Sequence, residues 1–228
     1  MNNLSIYGNQ INQKFDKILL HEGKVIGLFK KLFDHSHEKK VTNVLKKLIK
    51  PGWYVVDCGA LIGYHTLTMS KLAERVYAYE MNEANLSFLR KNIVGKRNIN
   101  IIPFVVSEVA GVLNFDFNAG DDFVRCPLST NSRDAYYLKK VIKLDDQVSK
   151  CNFLRIDIPG KEWEIIKGAS ELILKHHPII LLERRKDSII ELLHVLSKEG
   201  YSFFGIRNNG RLKRLKGNTN ESIVAIYQ

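Results

Sequence analysis

The chain has 228 residues, 45% hydrophobic, 10% aromatic and 26% charged, and its 35 Lys and Arg against 24 Asp and Glu give a formal charge of +11. That length suits one large domain or two small ones, and the apolar and aromatic content excludes disorder as the main state. Apolar runs fall far short of the roughly 20 residues of a membrane helix, and the N-terminal stretch lacks the apolar core of a secretory signal.

Cys58, Cys126 and Cys151 are too scattered for a disulfide framework or a zinc site, so a reducing, cytoplasmic setting is expected. The positive charge favours an anionic partner, either nucleic acid, an acidic glycan or a membrane surface, although a Lys- and Asn-rich proteome produces the same balance.

Residues 1–50 read as an N-terminal extension or lid packed on the core, with helical patterning from Val41 to Leu48. One domain is expected over 51–228. Trp53 to Asp57 reads as a strand ending at an acid, followed by a helix from Gly63 to Leu72. Arg75 to Glu80 is a second strand ending at an acid, followed by a helix from Glu83 to Ile93 and a third strand over 99–106. The polar, irregular stretch from Asn118 to Tyr137 is the candidate substrate loop. Then come a strand from Phe153 to Ile158, a helix from Glu162 to Lys175, a strand from Pro178 to Glu183 and a helix from Ser188 to Glu199. Tyr201 to Arg207 and Ile223 to Tyr227 close the chain without an intervening helix, which makes them an antiparallel pair. Strands alternating with helical stretches predict an α/β fold with a mostly parallel sheet.

The sharpest motif is Val55-Val-Asp57-Cys-Gly59-Ala-Leu-Ile-Gly63-Tyr-His65. A strand ends at an acid, a glycine turn follows, and a helix begins. Glycines there let the backbone approach a ligand, and the carboxyl ends of the strands are where an open α/β sheet binds one. The Gly59-x-x-x-Gly63 spacing lacks the third glycine of a dinucleotide fingerprint. Asp57 repels a pyrophosphate but suits a cation such as adenosylmethionine, whose ribose hydroxyls Glu80 is placed to hold.

Residues 51–93 resemble the FkbM family of S-adenosylmethionine-dependent methyltransferases. The likeness continues at Pro103-Phe-Val-Val-Ser107, Lys143-Leu-Asp-Asp146, Leu154-Arg-Ile-Asp157-Ile-Pro-Gly160 and His177-Pro-Ile-Ile-Leu-Leu-Glu183. It implies a Rossmann-like class I methyltransferase fold, a mostly parallel seven-stranded sheet with a C-terminal antiparallel hairpin. It also implies O-methylation, often of sugar hydroxyls. Carried onto this sequence, it assigns the cofactor to Asp57, Gly59, Ala60, Gly63, Glu80, Met81 and Ser107, with Glu38 as the acid that many members carry before the first strand. The chain departs from the pattern at Leu61, where the family usually has Asn, and at Pro159, where it usually has Glu.

A sugar hydroxyl is a poor nucleophile, so a base or a metal must help remove its proton. Asp157 and Glu183 end the strands expected to face the acceptor, and either chelate Mg²⁺ or supply the base; His65 is a third catalytic candidate. Glu162 reads as a helix-start acid. The expectation is an S-adenosylmethionine-dependent O-methyltransferase acting on a sugar hydroxyl in a glycan or glycoconjugate, the acceptor being neutral or anionic. The rivals are a ribose 2′-O RNA methyltransferase and a non-catalytic cofactor-binding module.

Overall fold

The computed structural model describes residues 35–115, 137–183, 190–215 and 222–228. All of the candidate substrate loop except Tyr137 lies outside them, as do Cys126 and residues 188–189 of the expected helix.

The first described element is α1 (His35–Leu48). Its apolar residues Val41, Val44, Leu45 and Leu48 recur at helical spacing, and the first three are fully buried. Strand β1 (Tyr54–Cys58) leads through a turn into α2 (Tyr64–Ser70). β2 (Arg75–Tyr79) and α3 (Glu83–Asn92) follow, then β3 (Ile99–Ile102). The single strand expected over 99–106 is in fact two. Pro103 has no backbone N–H to continue the ladder, and β4 (Val105–Val106) pairs instead with β6 (Tyr137–Ile142), alongside β5 (Gly111–Phe115), in a separate three-stranded sheet.

β7 (Phe153–Ile156) is followed by two short helices, α4 (Glu162–Lys167) and α5 (Ser170–His176), where one was expected. The break falls at Gly168 and Ala169. A Cβ on Gly168 would sit 2.0 Å from the Ser107 carbonyl oxygen, so only glycine lets this turn pack on the end of β4. β8 (Ile179–Leu182), α6 (Ile190–Lys198), β9 (Tyr201–Ile206), β10 (Leu212–Arg214) and β11 (Ile223–Tyr227) complete the chain.

The main sheet has the order β10-β9-β11-β8-β7-β1-β2-β3. Its strands β3, β2, β1, β7 and β8 are parallel, and β11 enters antiparallel between β8 and β9. The sheet therefore has eight strands rather than the expected seven, because the basic turn after β9 folds back as β10. Alternate residues of the central strands point to opposite faces. Val55, Val76 and Phe153 pack with α1, α2 and α3; Val56, Leu154 and Ile180 pack with α4, α5 and α6. A strand covered on both faces reads as a continuous apolar run, as Phe153–Ile156 does apart from Arg155.

Register aligns Cys58, Ile156, Leu182, Ile223, Gly205 and Lys213 in one row across the sheet. One residue beyond that row, along the edge formed by the strands' carboxyl ends, stand Gly59, Asp157, Glu183, Ser222, Ile206 and Leu212.

Candidate active site

The turn after β1 is shaped by other parts of the chain. Gly59 has φ 88°, and a Cβ there would come within 2.4 Å of the Asp157 carbonyl oxygen, while one on Gly63 would meet the Leu89 side chain at 2.6 Å. Both glycines are required by packing of strand on strand and turn on helix, a different reason from the ligand approach expected of them. The N–H groups of Gly59 and Ala60 both donate to the Tyr79 carbonyl at 3.0 Å, stitching the turn to β2. Ala60 itself is buried.

Glu80 follows β2 directly and is almost buried. One carboxylate oxygen accepts the Leu61 N–H at 2.9 Å and the other the Asn82 N–H at 2.8 Å. Burial pushes its pKa up, against the pull of these donors. Leu61 is held with φ 51°, the left-handed conformation that Asn tolerates and a side chain such as Leu resists. Met81, next to Glu80, is half-buried.

The centre of the site is Arg155, the one charged residue of β7 and buried there. Its Nη1 donates to Asp57 Oδ1 at 2.7 Å, its Nη2 to Asp157 Oδ2 at 2.8 Å, and its Nε to Glu183 Oε1 at 2.5 Å. Nη1 also reaches the Gly59 carbonyl at 3.3 Å. Thr66 Oγ1 donates to the second Asp57 oxygen at 2.6 Å. One guanidinium thus joins the carboxyl ends of β1, β7 and β8. The residue was missed as a site member, although a lone charge inside an apolar strand is the signature of a buried, paired group.

Helix α1 closes the cluster from outside the sheet. His37 Nε2 lies 3.0 Å from Glu183 Oε2, and Glu38 Oε2 lies 2.5 Å from His65 Nε2. Burial would raise the Glu183 pKa, but the Arg155 charge and the His37 hydrogen bond outweigh it and bring it down to about 2. The Glu183 bond raises the pKa of His37 despite partial burial. Burial raises that of Glu38, but its contact with His65 overcomes this and leaves it lowered. The four carboxylates Glu38, Asp57, Asp157 and Glu183 outnumber Arg155 and the two histidines, so the cluster suits a cationic guest.

The Mg²⁺ expected at Asp157 and Glu183 is not supported by this arrangement. Arg155 binds an oxygen of each, and among the described residues no group of three His, Cys, Asp or Glu is placed to hold a metal. Pro159 sits at the second position of a tight turn closed by the Lys161 N–H to the Ile158 carbonyl at 3.1 Å, with Gly160 next at φ 76°. That is the turn in which proline and then glycine are favoured, so Pro159 fits its backbone without strain. Glu162 is buried at the start of α4. Ser107 lies at the end of β4, its N–H donating to the Ile142 carbonyl at 2.9 Å, and its carbonyl packs on Gly168. Among the described residues, Ser107, like Glu80, makes no hydrogen bond or ion pair to the Arg155 cluster.

An open sheet with a late antiparallel strand between β8 and β9, and an acid-rich edge at the carboxyl ends of β1, β2, β7 and β8, is the class I S-adenosylmethionine-dependent methyltransferase fold. The model of the methyltransferase FkbM domain matches residues 57–208, more than half of the 228. The chain belongs to the FkbM methyltransferase family.

Among solved structures, it is similar to the methyltransferase FkbM from Methylobacillus flagellatus KT, with a TM-score of 0.53 and 17% identity over 88% of this chain. It spans 57% of that protein's length. It is also similar to the ribosomal protein L11 methylase from Lactobacillus delbrueckii subsp. bulgaricus, with a TM-score of 0.50 and 11% identity over 86% of this chain and 80% of that one. At these identities the likeness is one of fold. No curated protein sequence matches. None of the described helices is long and apolar enough to cross a membrane.

Proposed function

We propose that the chain is an S-adenosylmethionine-dependent O-methyltransferase whose acceptor is a sugar hydroxyl in a glycan or glycoconjugate, with 51–228 as the methyltransferase domain and 1–50 as an extension packed on it. The observation that carries this reading is the acid-rich cluster around Arg155 beside the Gly59–Gly63 turn and Glu80. Its excess negative charge matches a sulfonium and ammonium ligand.

In this reading Gly59, Ala60, Gly63, Glu80, Met81 and Ser107 line the cofactor, and Asp57 and Glu38 set the negative field around its amino-acid end. When bound, the cofactor supplies an activated methyl group. The chain's own part is to orient the acceptor and accept its proton. Glu183, at a pKa of about 2 and buried between Arg155 and His37, is too weak a base and serves orientation. His65 is equally enclosed, against Glu38. Asp157 and His37 reach solvent, with side chains 21% and 34% exposed, which supports them as the groups that receive the hydroxyl proton in this reading.

The test is thermal denaturation with S-adenosylmethionine, S-adenosylhomocysteine and NAD, each near 100 times a plausible dissociation constant. Binding to the native state alone adds about 2.7 kcal/mol, or roughly 5–10 °C at this chain length. A rise with the first two and none with NAD is expected. A rise with NAD alone, or with none, would remove the cofactor assignment. Methyl transfer to a panel of sugars then tests the acceptor, with Asp157→Asn expected to stop transfer while still binding S-adenosylhomocysteine.

A further inference from the structure

Glu183 and Ile206 stand on the same row of the sheet, each one residue beyond partners of Ile223. β9 runs parallel to β8, so the turn that follows Ile206 rises from the very edge where Asp157 and Glu183 end their strands. Only β11 separates the two, which puts the turn about 10 Å from Glu183 at ordinary strand spacing. On the row between them, Ser222 is buried and its hydroxyl has no hydrogen-bond partner among the described residues.

That turn is built rigidly. The Gly210 N–H donates to the Arg207 carbonyl at 2.8 Å and the Arg207 N–H to the Arg211 carbonyl at 2.9 Å. Asn209 Oδ1 accepts the Arg211 N–H at 3.0 Å. A Cβ on Gly210 would sit 2.7 Å from that of Asn43, so the turn lies flush on α1, and Lys47 Nζ fastens it by a 2.8 Å bond to the Asn209 carbonyl. Arg207 and Arg211 of the turn, and Lys213 and Arg214 of the adjoining β10, are all exposed, and none makes an ion pair among the described residues.

We infer that the turn Arg207–Arg211 is the acceptor-binding rim of the site, and that the acceptor is an anionic oligosaccharide whose carboxylate, sulfate or phosphate groups bind Arg207 and Arg211 while a hydroxyl about two sugar rings away reaches the Asp157–His37 end. This rests on the O-methyltransferase reading above and names its substrate class. Two features favour a glycan over single-stranded RNA. The four cations are point contacts on an edge, and the rim carries no exposed aromatic ring among the described residues; Phe203 and Phe204 are half-buried. Sequence-tolerant RNA binding relies on such rings for stacking.

The experiment is calorimetric titration of the full chain with a heparin hexasaccharide and with neutral maltohexaose. It uses the wild type, the double variant Arg207→Ala, Arg211→Ala, and a control double variant Lys96→Ala, Arg97→Ala. The control removes as much exposed charge just before β3, on the opposite edge of the sheet. The heparin hexasaccharide is expected to bind wild type and control alike and at least tenfold more weakly to the rim variant, with maltohexaose bound by none. Equal losses in both variants, no loss in the rim variant, or equal affinity for maltohexaose overturns the inference. So does a 20-nucleotide RNA bound more tightly than the hexasaccharide through the same two arginines. S-adenosylhomocysteine is titrated into the same samples. If the wild type fails to bind it, the methyltransferase reading falls; if it binds with no rim effect, only the rim assignment does.

Discussion

His37 Nε2 stands 3.0 Å from Glu183 Oε2, a hydrogen bond between residues 146 positions apart. It ties the helix that precedes the sheet to the end of β8, and through Glu183 to Arg155. The pair also gives the protein a defined response to pH. His37 has a folded pKa above its ordinary 6.5, so its contribution is complete below that value and is lost as pH rises through the folded one. Glu183 falls from an ordinary 4.5 to about 2, so its contribution is present above 4.5 and is lost on acidification toward 2. The melting-temperature gap between wild type and His37→Ala is therefore expected to be widest near about pH 6 and to narrow toward about pH 9. A gap that widens with rising pH contradicts the contact.

Removing Arg155 leaves Asp57 and Glu183 buried without their cation. Arg155→Met is expected to cost about 3–5 kcal/mol, seen as a fall of roughly 6–20 °C in melting temperature. Adding Asp57→Asn to that variant removes one orphaned charge, so the double variant should be more stable than Arg155→Met alone. Strict additivity of the two losses would mean the residues are not coupled.

Leu61 carries a left-handed backbone that costs a branched side chain about 1–2 kcal/mol, and at 38% exposed it buries little in return. Leu61→Asn keeps the N–H that Glu80 accepts and should raise stability by about 1 kcal/mol, read as a higher urea midpoint at unchanged slope. A lower midpoint would show that the Leu61 side chain packs more usefully than its exposure indicates.

Gly160 and Gly168 separate two reasons for glycine. Gly160 has φ 76° and open space around it, so Gly160→Ala should cost only the conformational strain of about 1–2 kcal/mol. Gly168 has an ordinary helical φ of −72°, but its added Cβ would strike the Ser107 carbonyl at 2.0 Å. Gly168→Ala must push the end of β4 away and should cost about 3 kcal/mol or more. Comparable urea midpoints for the two variants would refute this distinction.

Much of this was legible because short continuous apolar runs mark strands covered on both faces, and the helical period marks the stretches between them. Tyr54–Cys58, Arg75–Tyr79 and Ile179–Leu182 fall within a residue or two of their expected bounds. The small second sheet was not legible: β4 is two residues long, and β5 and β6 meet only across a long connection, so no local pattern announces them. At the site, the acids ending β1, β2, β7 and β8 could be read as a set because each follows an apolar run. Arg155 could not be assigned to them from spacing alone, since its partners Asp57 and Glu183 lie 98 and 28 residues away. The turn glycines could be picked out from spacing, but the packing that excludes a Cβ, against Asp157 and Ile158 just past β7 and against Leu89 of α3, could not.

Helix α1 lies upstream of the stretch recognisable as the family, which begins at Asp57. Yet Val41, Val44 and Leu45 are fully buried against Val55 and Val76, and His37 and Glu38 complete the contacts of Glu183 and His65. The unit that sequence similarity delimits is thus smaller than the unit that folds. A fragment cut at the similarity boundary would bare an apolar stripe across the sheet and strip two partners from the ionic cluster. Its failure to bind a ligand would then report on where the cut was made rather than on the chemistry of the site.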